Sequence, residues 1–342
     1  MNIWRIAAWF FATIALAGGV ASARSPDPKG ATPSGDTISV MTYNVKGLPW
    51  PIASGREAAF SHIVDRLTDL RAVGREPRVI VLQEAFTPAA RAIARDAGYR
   101  YIAEGPDASL RSALVETQQD RAFAAQSRWW KGEGLGKFLG SGLLIASDYP
   151  ILAVRRAAFP DFACAGFDCL ANKGVLLVKL RVPGRTLPVE VATTHLNSRH
   201  ASGVPSERSL YAYRRQLQIV DRFLTENADR RLPLIFAGDF NASSTQRRST
   251  LLAHSIENWS TQARPMKAAL IHCLSGDGRC RDPMPVVARS ILDRGRDWQF
   301  FVPGSRVSIQ AINLLVPFGR ERDGSMLSDH IGYLVGYRLH DG

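Results

Sequence analysis

Apolar runs of strand length, alternating with amphipathic helical stretches, predict an α/β protein whose single domain spans residues 37–340. Three observations carry this. Val79-Ile80-Val81-Leu82 and Leu234-Ile235-Phe236-Ala237 read as buried strands. Between such runs lie helical faces, the longest marked by Leu210, Tyr213, Leu217, Val220 and Leu224. Strand after strand then ends in a polar residue suited to metal or proton chemistry, and no repeat or linker divides the chain.

The amino terminus reads as a targeting segment. Residues 1–23 hold one cation, Arg5, then the apolar run Ile6 to Ala17, then Ala21-Ser22-Ala23. This predicts a secretory signal peptide cleaved after Ala23, with an uncleaved anchor as the alternative. Residues 24–36, rich in Pro, Gly and Ser, read as a flexible leader. No later stretch is apolar for long enough to span a bilayer, and the mature chain is expected to be secreted or periplasmic. Cleavage removes one arginine and no acid, lowering the formal net charge from +12 to +11. Such a charge suits nucleic acid, an anionic membrane surface or phosphorylated substrates without choosing among them. Four cysteines fit an oxidising compartment, and their spacings favour Cys164–Cys169 and Cys273–Cys280.

In chain order, Thr37 to Val45 alternates as a strand and presents Asn44 near its end. Ser54 to Glu57 has capping-box spacing before a helix carrying Ile63, Leu67 and Leu70. Arg78 to Leu82 delivers Gln83-Glu84, and Thr87-Pro88 opens the next helix. Glu104 to Gly140 shows little periodicity and contains Arg128-Trp129-Trp130-Lys131, either a core-packed pair or an exposed interfacial anchor. Gly142 to Ser147 and Ile151 to Val154 are expected to pair as neighbouring strands. Val175 to Val182 and Leu187 to Thr194 form a hairpin that delivers His195, and Ser206 caps the long helix. Ser244 to His254 looks helical, Asn258 to Arg296 irregular. Strands are then expected at Asp297 to Val302, Val307 to Leu315 and Ile331 to Leu339.

In Leu234 to Ser243 the apolar run ends in Gly238-Asp239-Phe240-Asn241, and on strand geometry Asp239 and Asn241 share a face. A hard cation, a water or a phosphate oxygen is the usual object of such a pair, although the same residues favour a turn. Asn44, Glu84, His195, Asp297, Asp329 and His330 occupy corresponding places, which a sheet collects on one rim.

Thr42-Tyr43-Asn44-Val45, Leu82-Gln83-Glu84, Thr194-His195-Leu196, Gly238-Asp239-Phe240-Asn241, Asp297-Trp298-Gln299-Phe300 and Ser328-Asp329-His330 resemble, in order, the motifs of the endonuclease/exonuclease/phosphatase superfamily. The resemblance implies a four-layered α/β sandwich, with two mainly antiparallel sheets packed face to face between helices. It also implies phosphoester hydrolysis dependent on Mg2+, with Mn2+ or another divalent cation as alternatives. Glu84, Asn44 and Asp329 would serve the metal. Asp239 would position or deprotonate the attacking water, Asn241 would hold a phosphate oxygen, and His330 oriented by Asp297 would act as base or stabiliser. His195 would donate to an oxygen on which charge builds.

Asp168-Cys169-Leu170-Ala171-Asn172-Lys173-Gly174 further resembles a segment of neutral sphingomyelinases, which makes Lys173 a candidate phosphate cation with Asp168 as its partner. The Asn44-Val45-Lys46-Gly47-Leu48-Pro49 stretch resembles their first motif. A phospholipid membrane surface is then the expected substrate, with sphingomyelin foremost. A secreted DNase-like nuclease is the alternative, and a catalytically silent binding module a remoter one. The long aromatic hairpin of secreted bacterial sphingomyelinases is missing, leaving Trp50 and Trp129-Trp130 as candidate membrane contacts.

Overall fold

The computed structural model describes residues 35–242, 245–275, 280–281 and 285–341. The expected signal peptide, the leader up to residue 34, and Ser243-Ser244 lie outside the described residues. The first run of elements is β1 (Thr37–Asn44), α1 (Glu57–Ala72), β2 (Val79–Gln83), α2 (Pro88–Asp96), β3 (Tyr101–Glu104), α3 (Gln118–Ala124) and β4 (Leu144–Ser147). The chain then builds β5 (Ile151–Ala158), β6 (Gly174–Leu180), β7 (Val189–His195), α4 (Ser206–Asn227), β8 (Leu234–Asp239) and α5 (Gln246–Trp259). A short β9 (Lys267–Ala268), α6 (Ala269–Leu274), α7 (Pro285–Arg294) and β10 (Asp297–Val302) follow, before β11 (Val307–Phe318) and β12 (Gly332–Asp341).

Two six-stranded sheets result, ordered β11-β12-β1-β2-β4-β3 and β5-β6-β7-β8-β10-β9. Pairing is antiparallel except at β1–β2 and β7–β8, where helical crossovers carry the chain back to the same end. Side-chain alternation sorts each strand between two layers. Val40, Val79 and Val81 point into the core between the sheets with Val178, Val191 and Ile235. Met41, Ile80 and Leu82 face α1 and α2, whereas Leu177, Phe236 and Phe300 face α4 and α5. The architecture is therefore the expected four-layered sandwich. Polar groups cross its middle layer: Gln299 Nε2 reaches the carbonyls of Val40 and Tyr333 at 3.3 and 3.2 Å, and Tyr337 donates to Gln299 Oε1 at 3.1 Å.

Several local expectations are corrected. β4 and β5 do not pair: β2 and β3 occupy both edges of β4, so the Asp148–Pro150 connection sends β5 into the other sheet. Residues 258–296 are not wholly irregular, since α6 packs against β10 and β11 and is stapled by the Cys273–Cys280 disulfide. The Cys164–Cys169 bond also forms as its spacing favoured. Arg56, not Ser54, stands at the start of α1, with its guanidinium bound to the carbonyls of Lys46, Val45 and Leu327. Pro205 rather than Ser206 precedes α4. Thr87 does cap α2, accepting from the Ala90 amide at 3.2 Å.

Candidate active site

The strand ends converge where the two sheets open at one rim. β1 brings Asn44, the turn after β2 brings Glu84, β7 ends on His195, β8 on Asp239, and β10 opens with Asp297. His330 stands two residues ahead of β12. Glu84 takes a left-handed backbone, φ 55°, which turns its carboxylate into the rim. Gly47 makes that turn possible: a Cβ there would lie 2.6 Å from the Glu84 carbonyl and 2.4 Å from the Ala90 side chain.

Asn44 ties the sheets together, its Nδ2 donating to Glu84 Oε1 at 3.0 Å and to Asp239 Oδ2 at 3.2 Å. Its Oδ1 is taken by the Lys46 amide at 3.0 Å, so Asn44 spaces two carboxylates with its donor. His330 Nδ1 lies 2.8 Å from Asp297 Oδ2, and its Nε2 points towards Asp239 Oδ2 at 3.8 Å. Burial alone would lower the His330 pKa, but the carboxylates of Asp297 and Asp239 outweigh it and raise it to about 10. The ring is thus an imidazolium at neutral pH, with Nδ1–H donated to Asp297. Burial raises the Asp239 carboxyl above its ordinary range, partly offset by the His330 charge. Burial likewise raises Glu84, with the Asn44 hydrogen bond opposing it.

His195 differs from His330. Burial, then the Lys173 charge, lowers its pKa well below the usual value, which keeps the ring neutral. Its Nε2 stands 3.2 Å from Lys173 Nζ and 3.4 Å from Asp239 Oδ2. A neutral ring can accept from the ammonium or donate to the carboxylate there, not both. Lys173 is buried and ion-paired to Asp168 at 3.1 Å, so it is no solvated strand-start cation. Asp168 in turn accepts from the Ser198 amide beyond β7.

Two expected residues sit differently from the strand-based reading. Asn241 has left strand geometry, φ 48°, and its Nδ2 donates to the Leu196 carbonyl at 3.0 Å while its amide donates to Asp239 Oδ1. Asp329 is half exposed, 3.7 Å from Lys46 Nζ, and outside the ligand groups around Asp239. Those groups are Glu84, His195 and Asp239, and Asp239, Asp297 and His330, with ligand atoms in each group within 4.8 Å of one another. A buried Asp239 and a half-buried Glu84, both with raised pKa values, fit a divalent cation, which would relieve the crowded negative charge. Glu84 and Asp239 would supply its oxygen donors.

Sequence reasoning missed Arg248. It is buried on the apolar face of α5 with Leu252, and its guanidinium donates to the carbonyls of Asn197, Asn241 and Ser209. It thereby clamps the loops after β7 and β8 to α4. Its only sequence signal is a cation falling in helical register with Leu252 and Ser255. Ser328, quoted only as part of a motif, donates to the Asn44 carbonyl at 2.7 Å and accepts from the His330 amide at 3.3 Å.

Fold and site define an α/β sandwich with a cation-competent cluster of carboxylates and histidines on one rim. The chain belongs to the endonuclease/exonuclease/phosphatase family, whose profile matches residues 41–330. Sphingomyelinases of Mycobacterium bovis and Mycobacterium tuberculosis are 25% identical to it over 324 residues, covering 90% of this chain and 53% of theirs. The chain thus spans about half the length of the curated relatives it matches. Sphingomyelinase C from Streptomyces griseocarneus has a similar structure, with a TM-score of 0.56, 20% identity, and 88% and 99% of the two chains covered. Staphylococcus aureus beta toxin with bound magnesium ions gives 0.54 at 15% identity, covering 88% and 99%. D. rerio TDP2 complexed with single-strand DNA product gives 0.54 at 14% identity, also covering 88% and 99%.

Proposed function

We propose that the protein is a Mg2+-dependent phosphodiesterase acting on a phospholipid, foremost sphingomyelin, which it would cut to ceramide and phosphocholine. The observation that carries this reading is Lys173, buried between Asp168 and His195 at the edge of the carboxylate cluster. An ammonium able to turn to substrate beside a neutral histidine suits a phosphate whose charge grows during reaction. The named sphingomyelinase relatives support the lipid, and the magnesium-bound beta toxin supports the metal. Glu84 and Asp239 would hold Mg2+, which when bound offsets charge on the phosphoryl oxygens.

The remaining chemistry is assigned to the chain's own groups. Asp239, with its raised carboxyl, takes or orients the proton of the attacking water. His330, held by Asp297 and charged, donates its Nε2–H to negative charge developing beside Asp239. His195 is freed to donate to a substrate oxygen when Lys173 turns from it to the phosphate. Asn241 orders the loop beside them and Asp329 stands at the mouth.

Secretion to the periplasm or medium belongs to the same reading, supported by the two disulfides and the amino-terminal sequence. Among the described residues no helix is long and apolar enough to cross a membrane. Amino-terminal sequencing of exported protein should begin at Arg24. Purified, Mg2+-loaded protein should release phosphocholine from sphingomyelin vesicles and stop in EDTA; no release over a broad phospholipid panel would end the lipid reading.

A secreted nuclease is the second reading, favoured by the net charge of +11 expected once Arg5 is removed from the +12 of the full sequence, and by the fold shared with TDP2 bound to single-strand DNA. Plasmid degradation that falls steeply with salt would select it.

A further inference from the structure

We propose that the loop at residues 128–138, laid over the disulfide-stapled segment at 166–170, is a rigid platform that docks the site rim on an anionic lipid bilayer. This docking face deepens the lipid reading and rests on it for its purpose. Trp129 and Trp130 are 67% and 58% exposed, and Phe138 is 67% exposed. Leu135 and Phe167, in the same two segments, are exposed as well. The two indoles stand edge to face with centroids 6.0 Å apart. Such rings, apolar in body and wet at one end, settle at headgroup depth.

Charge is arranged for the same occupant. The acids of these two segments, Glu133 and Asp168, are both turned inward, onto Arg208 and Lys173. Arg128 is exposed, and Lys131 lies over the Phe167 ring at 5.5 Å from its centroid. These two segments therefore turn Arg128, Lys131 and aromatic rings outward, complementary to anionic headgroups above an apolar layer, while the exposed Asp161 beside them is paired to Lys137 at 3.4 Å.

The platform is fixed rather than floppy. Glu133 accepts from the Arg128 amide at 2.6 Å, the Gly166 amide at 2.8 Å and Arg208 Nε at 2.7 Å, tying loop, stapled segment and α4 together. The Phe138 amide donates to the Leu170 carbonyl at 2.8 Å, and the Phe167 amide to the Ser202 carbonyl at 3.0 Å. Ser202 follows β7, whose end is His195, so the platform continues into the site rim. The loop after β1, which leaves the rim at Asn44, also exposes Trp50 at 81% and Ile52 at 64%.

The test uses the exported protein in EDTA with vesicles of phosphatidylcholine and phosphatidylserine that contain no sphingomyelin, so binding is read without turnover. Wild type should sediment with the vesicles and its tryptophan emission should shift to the blue. Trp129→Ala with Trp130→Ala should bind on the order of tenfold more weakly and lose most of the shift. Arg128→Glu with Lys131→Glu should weaken binding at low salt and leave folding intact. Hydrolysis of a soluble phosphodiester should be unchanged in all of them. Equal binding by wild type and the tryptophan variant, or no binding by wild type, would overturn the docking face. Either result leaves phosphocholine release to be judged by its own assay.

Discussion

Two pairs of acids, Asp120 with Glu133 and Glu84 with Asp239, meet opposite surroundings in this protein. Asp120 accepts from the Thr117 amide and hydroxyl, the Tyr211 hydroxyl and Arg215, while Glu133 accepts from two amides and Arg208. Burial would raise both pKa values, but these fixed donors outweigh it and hold them low. Glu84 and Asp239, at the rim, are pushed up by burial instead, because Asn44 divides one amide group between them and other carboxylates crowd in. A buried acid with a full set of donors is structural. One that faces its own kind is kept at a cost and awaits a cation.

The largest effects should separate the two regions by what each mutation damages. His330→Ala should lower kcat by about 10²–10⁴-fold, the range of a positioned proton-transfer group, with folding retained by circular dichroism. Asp120→Ala should do the reverse, costing about 3 kcal/mol in urea unfolding by stranding Arg215 and Tyr211, with kcat on a soluble phosphodiester little changed. A large kcat loss in Asp120→Ala, at full folding, would break the division.

A smaller effect should carry the opposite sign. Glu84→Gln removes a buried charge that the metal-free protein tolerates poorly, and should raise its stability by about 1 kcal/mol while abolishing turnover. Destabilisation comparable to Asp120→Ala would show Glu84 to be structural.

The pH dependence of stability sharpens the contrast. Asp120 and Glu133 have folded values below their unfolded ones, so their stabilisation is complete above pH ~4 and is lost as pH falls through the lowered folded values. Glu84 is raised, so its cost is full above the raised folded value and vanishes below the unfolded value of ~4.3. Urea unfolding between pH 7 and pH 3 should therefore erase the Glu84→Gln advantage. The deficit of Asp120→Asn should shrink only at the acid end.

Much of the rim was legible because strand ends announce themselves: an apolar run stopping at Glu84, His195 or Asp239 leaves a polar group where the sheet opens. The four layers were legible through the family resemblance and the alternation of apolar faces. Pairing of β4 with β5 was misread because sequence proximity does not say which edges are already filled. α6 and α7 were missed because cysteines, glycines and prolines obscure helical period between Asn258 and Arg296. The structural acids were overlooked, since Asp120 and Glu133 sit in a stretch without periodicity and their arginine partners lie on α4, far along the chain; the one local signal was the capping-box spacing of Thr117 and Asp120. Arg248 differs from its neighbour Arg247 chiefly in which way the helix turns it.

The most direct test is a Mg2+ titration of thermal stability on wild type and Glu84→Gln. Wild type should gain stability as Mg2+ rises, by RT ln(1 + [Mg2+]/Kd), and the variant, already more stable without metal, should stay flat. A wild type indifferent to Mg2+, or a variant that responds equally, would contradict a cation site built on Glu84.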